Sequence, residues 1–295
     1  MSDIYAAAES VAQESPLSIG LICEVLEVSA SAYYAWRKGQ LSPRAQRDAE
    51  LAPWVRAVFW KHRRRYGARR IAAELADRGE MCGPRRVAKL LKNQGLRAIQ
   101  PKSFVPQTTD SRHRLGYSPN LLLETADPTG VNQLWVGDIT YVPLRGGSFS
   151  YLAMLMDRFS RAIVGWRLDE MLTEDLVLPV LHAAIRDRQP PARLIHHTDR
   201  GGQYAGARYR AVLRRADFRQ SMSRAENCYD NAFMESCFGT VKTELEMTEY
   251  EDHRAARREI GDYIYYYQLE RKHSALSYLT PQQFERLHPP NPRTT

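Results

Sequence analysis

The sequence predicts an α/β protein in which an all-α helix-turn-helix region precedes a domain with a mixed β-sheet. Two observations lead to this prediction. Up to about residue 95, apolar residues recur at helical spacing and turn residues interrupt them at short intervals. From about residue 134, three strand-like segments come first and then helix and strand patterns alternate, which implies a mixed sheet with helices on its faces. The 295 residues suffice for two domains with separate cores.

The helical region consists of short helices in pairs. Residues 18–38 predict two helices joined by a turn, with the length and rhythm of a helix-turn-helix. A long helix is predicted from Pro43, and a second pair of helices covers 70–79 and 84–95. We therefore expect residues 1–96 to form one helical region.

A linker follows the helical region. Residues 97–131 lose the helical periodicity and gather prolines, serines and threonines. In the domain that follows, the segment 145–148 predicts a hairpin turn between the first two strands. The remaining elements are predicted in chain order as strands at 134–142, 150–158 and 162–168, a helix at 173–188, a strand at 193–198, a helix near 205–216, a strand at 219–223, helices at 228–246 and 251–271, and an irregular, proline-rich end.

The net charge of +8 lies entirely in the first part of the chain. Residues 1–125 hold 20 Lys and Arg against 12 Asp and Glu, whereas residues 126–295 hold 22 of each. A basic helical domain joined to a neutral domain fits a nucleic-acid-binding region attached to a metal site. Solvated arginine-rich helix faces are an equally good explanation of the charge taken alone.

The four cysteines form no C-x-x-C pair and have no matching histidine cluster, which argues against structural zinc. The amino terminus lacks the charged-then-apolar pattern of a signal peptide. No run of about 18 apolar residues occurs, so no membrane span is expected. These features predict a cytoplasmic protein, and DNA binding would associate it with the nucleoid.

Three carboxylates lie in settings that suit metal-dependent phosphoryl transfer. Asp138 falls within an apolar strand, Asp199 ends a second strand, and Glu235 lies on a predicted helix 36 positions further along the chain. Lys242 follows Glu235 by two helical turns, on the same face. Magnesium prefers oxygen ligands, and three converging acids could hold two such ions. Taken singly, each acid has an ordinary explanation: a strand-end bond to backbone amides, turn chemistry, or an exposed helix position.

The blocks around these acids resemble those of insertion-sequence transposases encoded by the second reading frame (OrfB type), which belong to the DDE superfamily of retroviral integrases. The resemblance covers roughly residues 20 to 285, in the expected order. Its blocks are Tyr66–Ile71, Arg86–Leu96, Trp135–Tyr141, Asp157–Trp166, His197–Tyr204, Asp230–Ser236 and Arg271–Phe284.

This resemblance implies a ribonuclease H-like catalytic core at 132–274, followed by a tail at 275–295. It implies that Asp138, Asp199 and Glu235 are both the catalytic residues and the metal ligands, with two Mg²⁺ ions for which Mn²⁺ substitutes. The implied activity is 3′-end nicking of insertion-sequence ends, followed by strand transfer.

The implied partner is double-stranded DNA, as the terminal repeats of the element and as the target. The resemblance also implies a homo-oligomer that pairs two ends, and a possible partner protein from the first reading frame. DNA contacts are predicted for these basic residues: Lys242, Arg64, Arg65, Arg69, Arg70, Arg85, Arg86 and Lys89.

Two other functions remain open at this point. A non-catalytic DNA-binding regulator could be built from the amino-terminal helices, although three intact acids argue against it. A ribonuclease H-like nuclease would share the fold and the metals, but would not explain two helix-turn-helix units.

Several neighbours of the acids have predicted supporting roles. His196 and His197 are expected to pack or to hydrogen-bond, since hard magnesium does not seek imidazole. Asp157 matches a structural position of the family rather than a ligand.

Further predictions concern the helices near the carboxyl end. Asn227 and Asn231 are candidates to position the helix of Glu235 or to contact DNA. Arg271 and His273 are expected to stabilise that helix or to contact the DNA end. Gln268 replaces the asparagine usual in the family, which makes a specific role for it doubtful.

Overall fold

The computed structural model describes residues 2–39, 41–101, 115–224, 228–247 and 249–289. Contacts between residues divide the chain into two compact units, Met1–Ala98 and Ile99–Thr295. Much of the predicted linker and the last residues of the predicted tail lie outside the described residues, so the four-part domain division stays a prediction. Over the described residues, no helix combines the length and apolar character needed to span a bilayer.

The first unit begins with a three-helix group. Ser18 and Ser29 cap the second and third of these helices, because each side chain accepts a hydrogen bond from an amide of the first turn. The first helix is not predicted by the sequence patterns, because it buries little beyond Tyr5 and Ala8. The three elements are α1 (Ser2–Glu14), α2 (Ile19–Val25) and α3 (Ala30–Arg37).

Three further helices complete the first unit: α4 (Pro43–Lys61), α5 (Ala68–Ala76) and α6 (Pro84–Asn93). Leu51, Val55 and Phe59 of α4 are buried, as are Ile71 of α5 and Val87 of α6. Helices α5 and α6 pack on each other and on α4. The predicted long helix and the predicted second helix pair are confirmed.

The second unit is built on a five-stranded sheet in the order β3-β2-β1-β4-β5. Strands β1 and β2 pair antiparallel, as do β2 and β3, whereas β4 pairs parallel to both β1 and β5. This order confirms the predicted mixed, ribonuclease H-like sheet. The strands are β1 (Leu134–Pro143), β2 (Phe149–Asp157), β3 (Ile163–Asp169), β4 (Ile195–Thr198) and β5 (Arg219–Met222).

Helices cover the sheet. Trp135 and Leu155 pack with Leu181 in a core under the first of these helices, and Gly165 permits its close approach, because a Cβ there would lie 2.9 Å from the Val180 carbonyl oxygen. The helix that carries Glu235 packs against β1. The helices of this unit are α7 (Glu174–Arg188), α8 (Gly202–Ala205), α9 (Ala207–Arg215), α10 (Ala232–Glu244), α11 (His253–Leu269) and α12 (Pro281–Leu287).

The prediction of an irregular end after residue 271 is wrong, because α12 forms there. Its first turn carries a capping box, in which the Thr280 side chain accepts from the Gln283 amide and the Gln283 side chain accepts from the Thr280 amide. Pro281 occupies the first helical position, where it needs no hydrogen-bonded amide. Glu285 then joins α12 to α7 through two 2.6 Å bonds from the Arg188 guanidinium.

Candidate active site

Two of the predicted acids lie close together at neighbouring parallel strands, Asp138 within β1 and Asp199 directly after β4. Gly137 of β1 is paired with Thr198 of β4. Asp138 directly follows Gly137, and Asp199 directly follows Thr198. Neighbouring strands are about 4.8 Å apart, so this register brings the two carboxyl groups to the same place at the sheet. The backbone at Gly137 is closely surrounded, because a Cβ there would lie 3.3 Å from the Leu155 side chain and 3.4 Å from the His196 ring.

Local hydrogen bonds orient both aspartates. One oxygen of Asp138 accepts from the Ile139 amide at 2.8 Å, and one oxygen of Asp199 accepts from the Gly201 amide at 3.0 Å. These bonds are the ones expected if Asp138 were an ordinary strand residue bonded to a backbone amide and Asp199 an ordinary turn residue. Each engages a single carboxylate oxygen, so the local bonds do not conflict with a role as ligand.

The third acid comes from α10. Glu235 lies in the first turn of this helix and is exposed, while Lys242 lies in its last turn and is half-buried. Because Asp138 and Trp135 are three positions apart on one strand, Asp138 faces away from the α7 side of the sheet. Contact between α10 and β1 brings Glu235 and Lys242 to the face where Asp138 lies.

Electrostatics show that these four side chains share one environment. Burial raises the pKa of Asp138 well above its usual range, the charges of Asp199 and Glu235 raise it further, and Lys242 and the Ile139 amide oppose the rise. Burial lowers the pKa of Lys242, and the charge of Asp138 opposes that shift. The structure therefore brings together all four residues predicted for the core.

The acids are not assembled as a ready-made ligand set. Within the described ranges, no group of three His, Cys, Asp or Glu side chains is arranged to hold a metal ion. Like charges repel, so a bound cation would favour a closer approach of the three carboxylates.

The two histidines beside Asp199 are neutral and hydrogen-bonded. Burial lowers the pKa of His196 to about 3 and that of His197 to about 4. His196 Nε2 lies 2.7 Å from the Tyr209 hydroxyl, and His197 Nδ1 lies 2.8 Å from the Ser221 hydroxyl. The predicted packing and hydrogen-bonding role is confirmed for both.

A buried ion pair fixes the carboxyl end of α10. The Arg271 guanidinium donates to Glu244 at 2.7 Å, and the Tyr263 hydroxyl donates to the same carboxylate at 3.0 Å. Arg271 and Glu244 are only 4% and 7% exposed. His273 lies 3.2 Å from another Arg271 nitrogen. Of the two roles predicted for Arg271, stabilisation of the helix of Glu235 is therefore the one the structure supports.

Two further residues have structural roles. The Asp157 carboxylate accepts from the amides of Asn132, Phe159 and Ser160 at 2.6–3.0 Å, which confirms its predicted structural position. The Gln268 side chain accepts a hydrogen bond from the Ile163 amide and donates one to the Ile163 carbonyl, at the start of the edge strand β3. Gln268 therefore has a structural role, which the sequence alone does not indicate. Asn227 lies outside the described residues.

The predicted DNA-contacting residues of the first unit differ in their surroundings. Arg86 and Lys89 of α6 form ion pairs with Asp48 of α4, at 2.7 and 3.2 Å. Arg69 and Arg85 are exposed, whereas Arg64, Arg65 and Arg70 are half-buried. A cleft of about 510 Å³ is lined by Arg44, Gly83, Arg85, Arg86 and Lys89. Arg44 was not predicted, because its sequence neighbourhood does not reveal that α4 and α6 meet there.

Comparison with protein-family models places two kinds of domain in the chain. Residues 45–104 match a family described as an HTH-like domain. Residues 128–228 and residues 216–281 match two families that are each described as an integrase core domain. The second and third matches together cover the five-stranded sheet, α10 and α11.

Curated relatives match over most of the chain. The uncharacterized 31 kDa protein of insertion element IS600 from Shigella sonnei is 40% identical over 270 residues, which are 90% of this chain and 98% of the relative. The transposase InsF for insertion sequence IS3A from Escherichia coli (strain K12) is 38% identical over 276 residues, which are 92% of this chain and 95% of the relative.

Solved structures with similarity to the chain include two retroviral proteins. The HTLV-2 integrase catalytic core domain in complex with magnesium (dimeric form) matches with a TM-score of 0.42 and 16% identity, over 53% of this chain and 97% of that one. A chain of the simian T-cell lymphotropic virus intasome in complex with PP2A regulatory subunit B56 gamma matches with a TM-score of 0.46 and 18% identity, over 82% and 78%.

Proposed function

The chain belongs to the insertion-sequence transposases that include InsF of IS3, and we propose that it nicks the ends of its own element and joins them to target DNA. A transposase with an integrase core is a polynucleotidyl transferase, and its HTH-like domain implies DNA binding. The relatives favour this function over the two alternatives, the non-catalytic regulator and the nuclease that acts on RNA–DNA hybrids.

The observation that carries the proposal is the convergence of Asp138, Asp199 and Glu235 at one face of the sheet. The parallel pairing of β1 and β4 places the two aspartates side by side, and α10 adds Glu235 and Lys242. Burial raises the pKa of Asp138, and the charges of Asp199 and Glu235 raise it further, so the three carboxyl groups concentrate negative charge when they are ionised. Such a site suits a hard cation and discourages bare DNA phosphate.

The donor set fits magnesium, because the three groups are carboxylates and the neighbouring histidines are occupied by hydrogen bonds. We assign Asp138, Asp199 and Glu235 as the ligands. When bound, two Mg²⁺ ions, or Mn²⁺ in their place, neutralise this charge and stabilise the attacking and leaving oxygens.

In the nicking step, water attacks the phosphorus, the bond to the 3′-oxygen breaks, and the 3′-hydroxyl of the element is released. In the joining step, that hydroxyl attacks a target phosphate and displaces another 3′-oxygen. Lys242 lies on the helix of Glu235, and its ammonium group contacts a DNA phosphate near the reacting bond. The two aspartates keep their orientation through the Ile139 and Gly201 amides.

The basic first unit supplies much of the affinity for DNA. Its exposed arginines, Arg69 and Arg85, contact phosphates directly, and Arg64, Arg65, Arg70, Arg86 and Lys89 extend the same basic surface. Contacts of this kind are salt-dependent and largely independent of sequence. The protein acts as a homo-oligomer that pairs two terminal repeats, together with a possible first-reading-frame partner.

The test compares the wild type with Glu235→Gln on duplexes that carry the terminal repeats of the element. Each protein is incubated with Mg²⁺, and with Ca²⁺ as a binding control, and nicked and joined strands are resolved on denaturing gels. We expect products from the wild type only, with a loss of about 10²–10³-fold or more in the variant, the scale seen when a group that stabilises transition-state charge is removed.

Ser236→Ala serves as the matched control, since Ser236 is the exposed neighbour of Glu235 on the same helix. Equal products from wild type and Glu235→Gln would reject the assignment of this residue. Cleavage restricted to RNA–DNA hybrids would favour the nuclease alternative.

A further inference from the structure

The turn between β2 and β3 presents two arginines to the helix of Glu235. In this turn, the Arg161 amide donates to the Asp157 carbonyl and the Arg158 amide donates to the Leu134 carbonyl, each at 2.9 Å. The Asp157 carboxylate binds three further amides, and Arg161 has a φ of +62°. The backbone of the turn is thus held by several bonds, which fixes the directions of its side chains.

Both arginines stack on one aromatic ring of α10. The guanidinium carbon of Arg158 lies 4.1 Å from the centre of the Phe233 ring, and that of Arg161 lies 4.3 Å from it. Cation–π contacts act within about 6 Å and strengthen when the cation is removed from water. The Arg158 side chain is only 16% exposed, and burial lowers the pKa of Arg161. We call Arg158, Arg161 and Phe233 the arginine–phenylalanine cluster.

The cluster lies where α10 lacks a cap. Asn231 precedes the helix but makes no capping hydrogen bond with its side chain. Its buried side-chain oxygen has no hydrogen-bond partner within the part of the chain that the structure describes. A first turn without a cap frays more readily, because its amides lack partners. Phe233 is the second residue of that turn and Glu235 the fourth.

We propose that Phe233, through its contacts with Arg158 and Arg161, is a positioning residue that fixes the first turn of α10 and so the carboxylate of Glu235. The Glu244–Arg271 pair holds the other end of the same helix. Together the two contacts determine where Glu235 stands relative to Asp138 and Asp199. The inference rests on the proposed role of Glu235 in the reaction.

The test uses the full-length chain with Phe233→Leu, which keeps the apolar bulk and removes the ring, and with Phe233→Tyr, which keeps the aromatic face. Phe159→Leu is the matched control, because Phe159 belongs to the same turn and its ring packs on Phe284 of α12, with the ring centres 5.2 Å apart. Hydrogen exchange of the α10 amides 236–239 reports the order of the first turns without any need for activity.

We expect Phe233→Leu to speed exchange of these amides by about tenfold or more while exchange in α11 stays unchanged. We expect single-turnover nicking at saturating DNA to slow by about 10–100-fold, as for a displaced catalytic group. The Mg²⁺ concentration for half-maximal nicking should rise, and DNA affinity in Ca²⁺ should stay within about twofold. Phe233→Tyr should restore both exchange and rate.

The proposal would be overturned if Phe233→Leu exchanged its α10 amides and nicked DNA at the wild-type rates. It would also be overturned if Phe233→Tyr or Phe159→Leu were as defective as Phe233→Leu. Glu235→Gln separates this outcome from failure of the proposed function. If Glu235→Gln nicks normally while Phe233→Leu still speeds exchange, the role of Glu235 is wrong but Phe233 does order the helix. If the chain alone shows no nicking, the exchange measurement decides.

Discussion

Two groups of charged side chains in this transposase, one in each unit, differ in how their charges are balanced. In the first unit, acids are matched with cations: Asp48 binds Arg86 and Lys89, and Glu74 binds Lys61 at 2.8 Å. In the second unit, burial raises the pKa of Asp138, and the charges of Asp199 and Glu235 raise it further. Pairs of opposite charges stabilise a fold, whereas carboxylates that repel each other favour the binding of a cation. We therefore base the proposed cation site on the local balance of charge and not on the net charge of a domain.

One matched pair in the second unit should have the largest effect on stability. Glu244→Gln leaves the Arg271 guanidinium buried without its carboxylate, and we expect the free energy of unfolding to fall by about 3–5 kcal/mol. Denaturant titration followed by circular dichroism measures this change. The control is Glu246→Gln, an exposed position two residues later, which should change the free energy by about 0.5 kcal/mol or less. Equal effects from both variants would contradict the contribution of the buried pair.

The repelling acids predict that stability without metal falls as pH rises. The pKa of Asp138 is raised in the folded state, so its favourable contribution is complete below the unfolded pKa of about 3.9 and is lost as pH rises through the folded value. Without metal at pH 8, we expect Asp138→Asn to melt about 2–4 °C above the wild type. At pH 4 the two should coincide, and Mg²⁺ should remove the difference at pH 8. A wild type that melts higher than the variant at pH 8 without metal would contradict this account.

The matched acid Glu74 predicts the opposite dependence in the first unit. His62, whose Nε2 lies 3.8 Å from the Glu74 carboxylate, lowers the pKa of Glu74, burial opposes that shift, and the Lys61 ammonium, which donates to the carboxylate at 2.8 Å, lowers the pKa further. Its contribution is therefore present above the unfolded pKa of about 4.3 and is lost as pH falls towards the folded value. At pH 7, Glu74→Gln should melt below the wild type, and the gap should narrow below pH 4. A gap independent of pH would show that Glu74 acts by packing alone.

The smallest effects should appear in DNA binding by the first unit. Arg85 is exposed, while Arg86 is partly neutralised by Asp48. We expect Arg85→Ala to reduce the slope of log affinity against log salt by about 1, the value for one phosphate contact. Arg86→Ala should change the slope less, because Asp48 already neutralises part of the Arg86 charge and so weakens its contact with phosphate. Fluorescence anisotropy in Ca²⁺ across a salt series measures both slopes, and a larger change in Arg86→Ala would reverse this order.

Much of the fold follows from local patterns in the sequence. Helical and strand periodicities identified nearly every element of the second unit, because those patterns report which face is buried. Two helices are not predicted from the sequence. Helix α1 buries few residues and so has a weak pattern, whereas α12 has a clear sequence signal in the capping box of Thr280 and Gln283. The three acids were predicted from the resemblance of their blocks, and not from any pattern that reveals their proximity.

The partners of charged side chains could not be predicted. Asp48 and Arg86 are 38 residues apart, and Glu244 and Arg271 are 27 apart, so their pairing depends on how helices pack. The same limit applies to Arg158, Arg161 and Phe233: the blocks that contain them resemble those of the family, but no local pattern predicts that the three side chains meet. Register between β1 and β4 likewise depends on strand pairing between distant segments.

Binding of Mn²⁺ tests most directly whether the repelling acids form the cation site. Free Mn²⁺ is titrated by electron paramagnetic resonance in the presence of wild type, Asp138→Asn and Glu74→Gln. We predict that wild type and Glu74→Gln bind the ion equally and that Asp138→Asn loses this binding. Equal binding by all three proteins, or loss in Glu74→Gln alone, would contradict the assignment of the metal site to Asp138, Asp199 and Glu235.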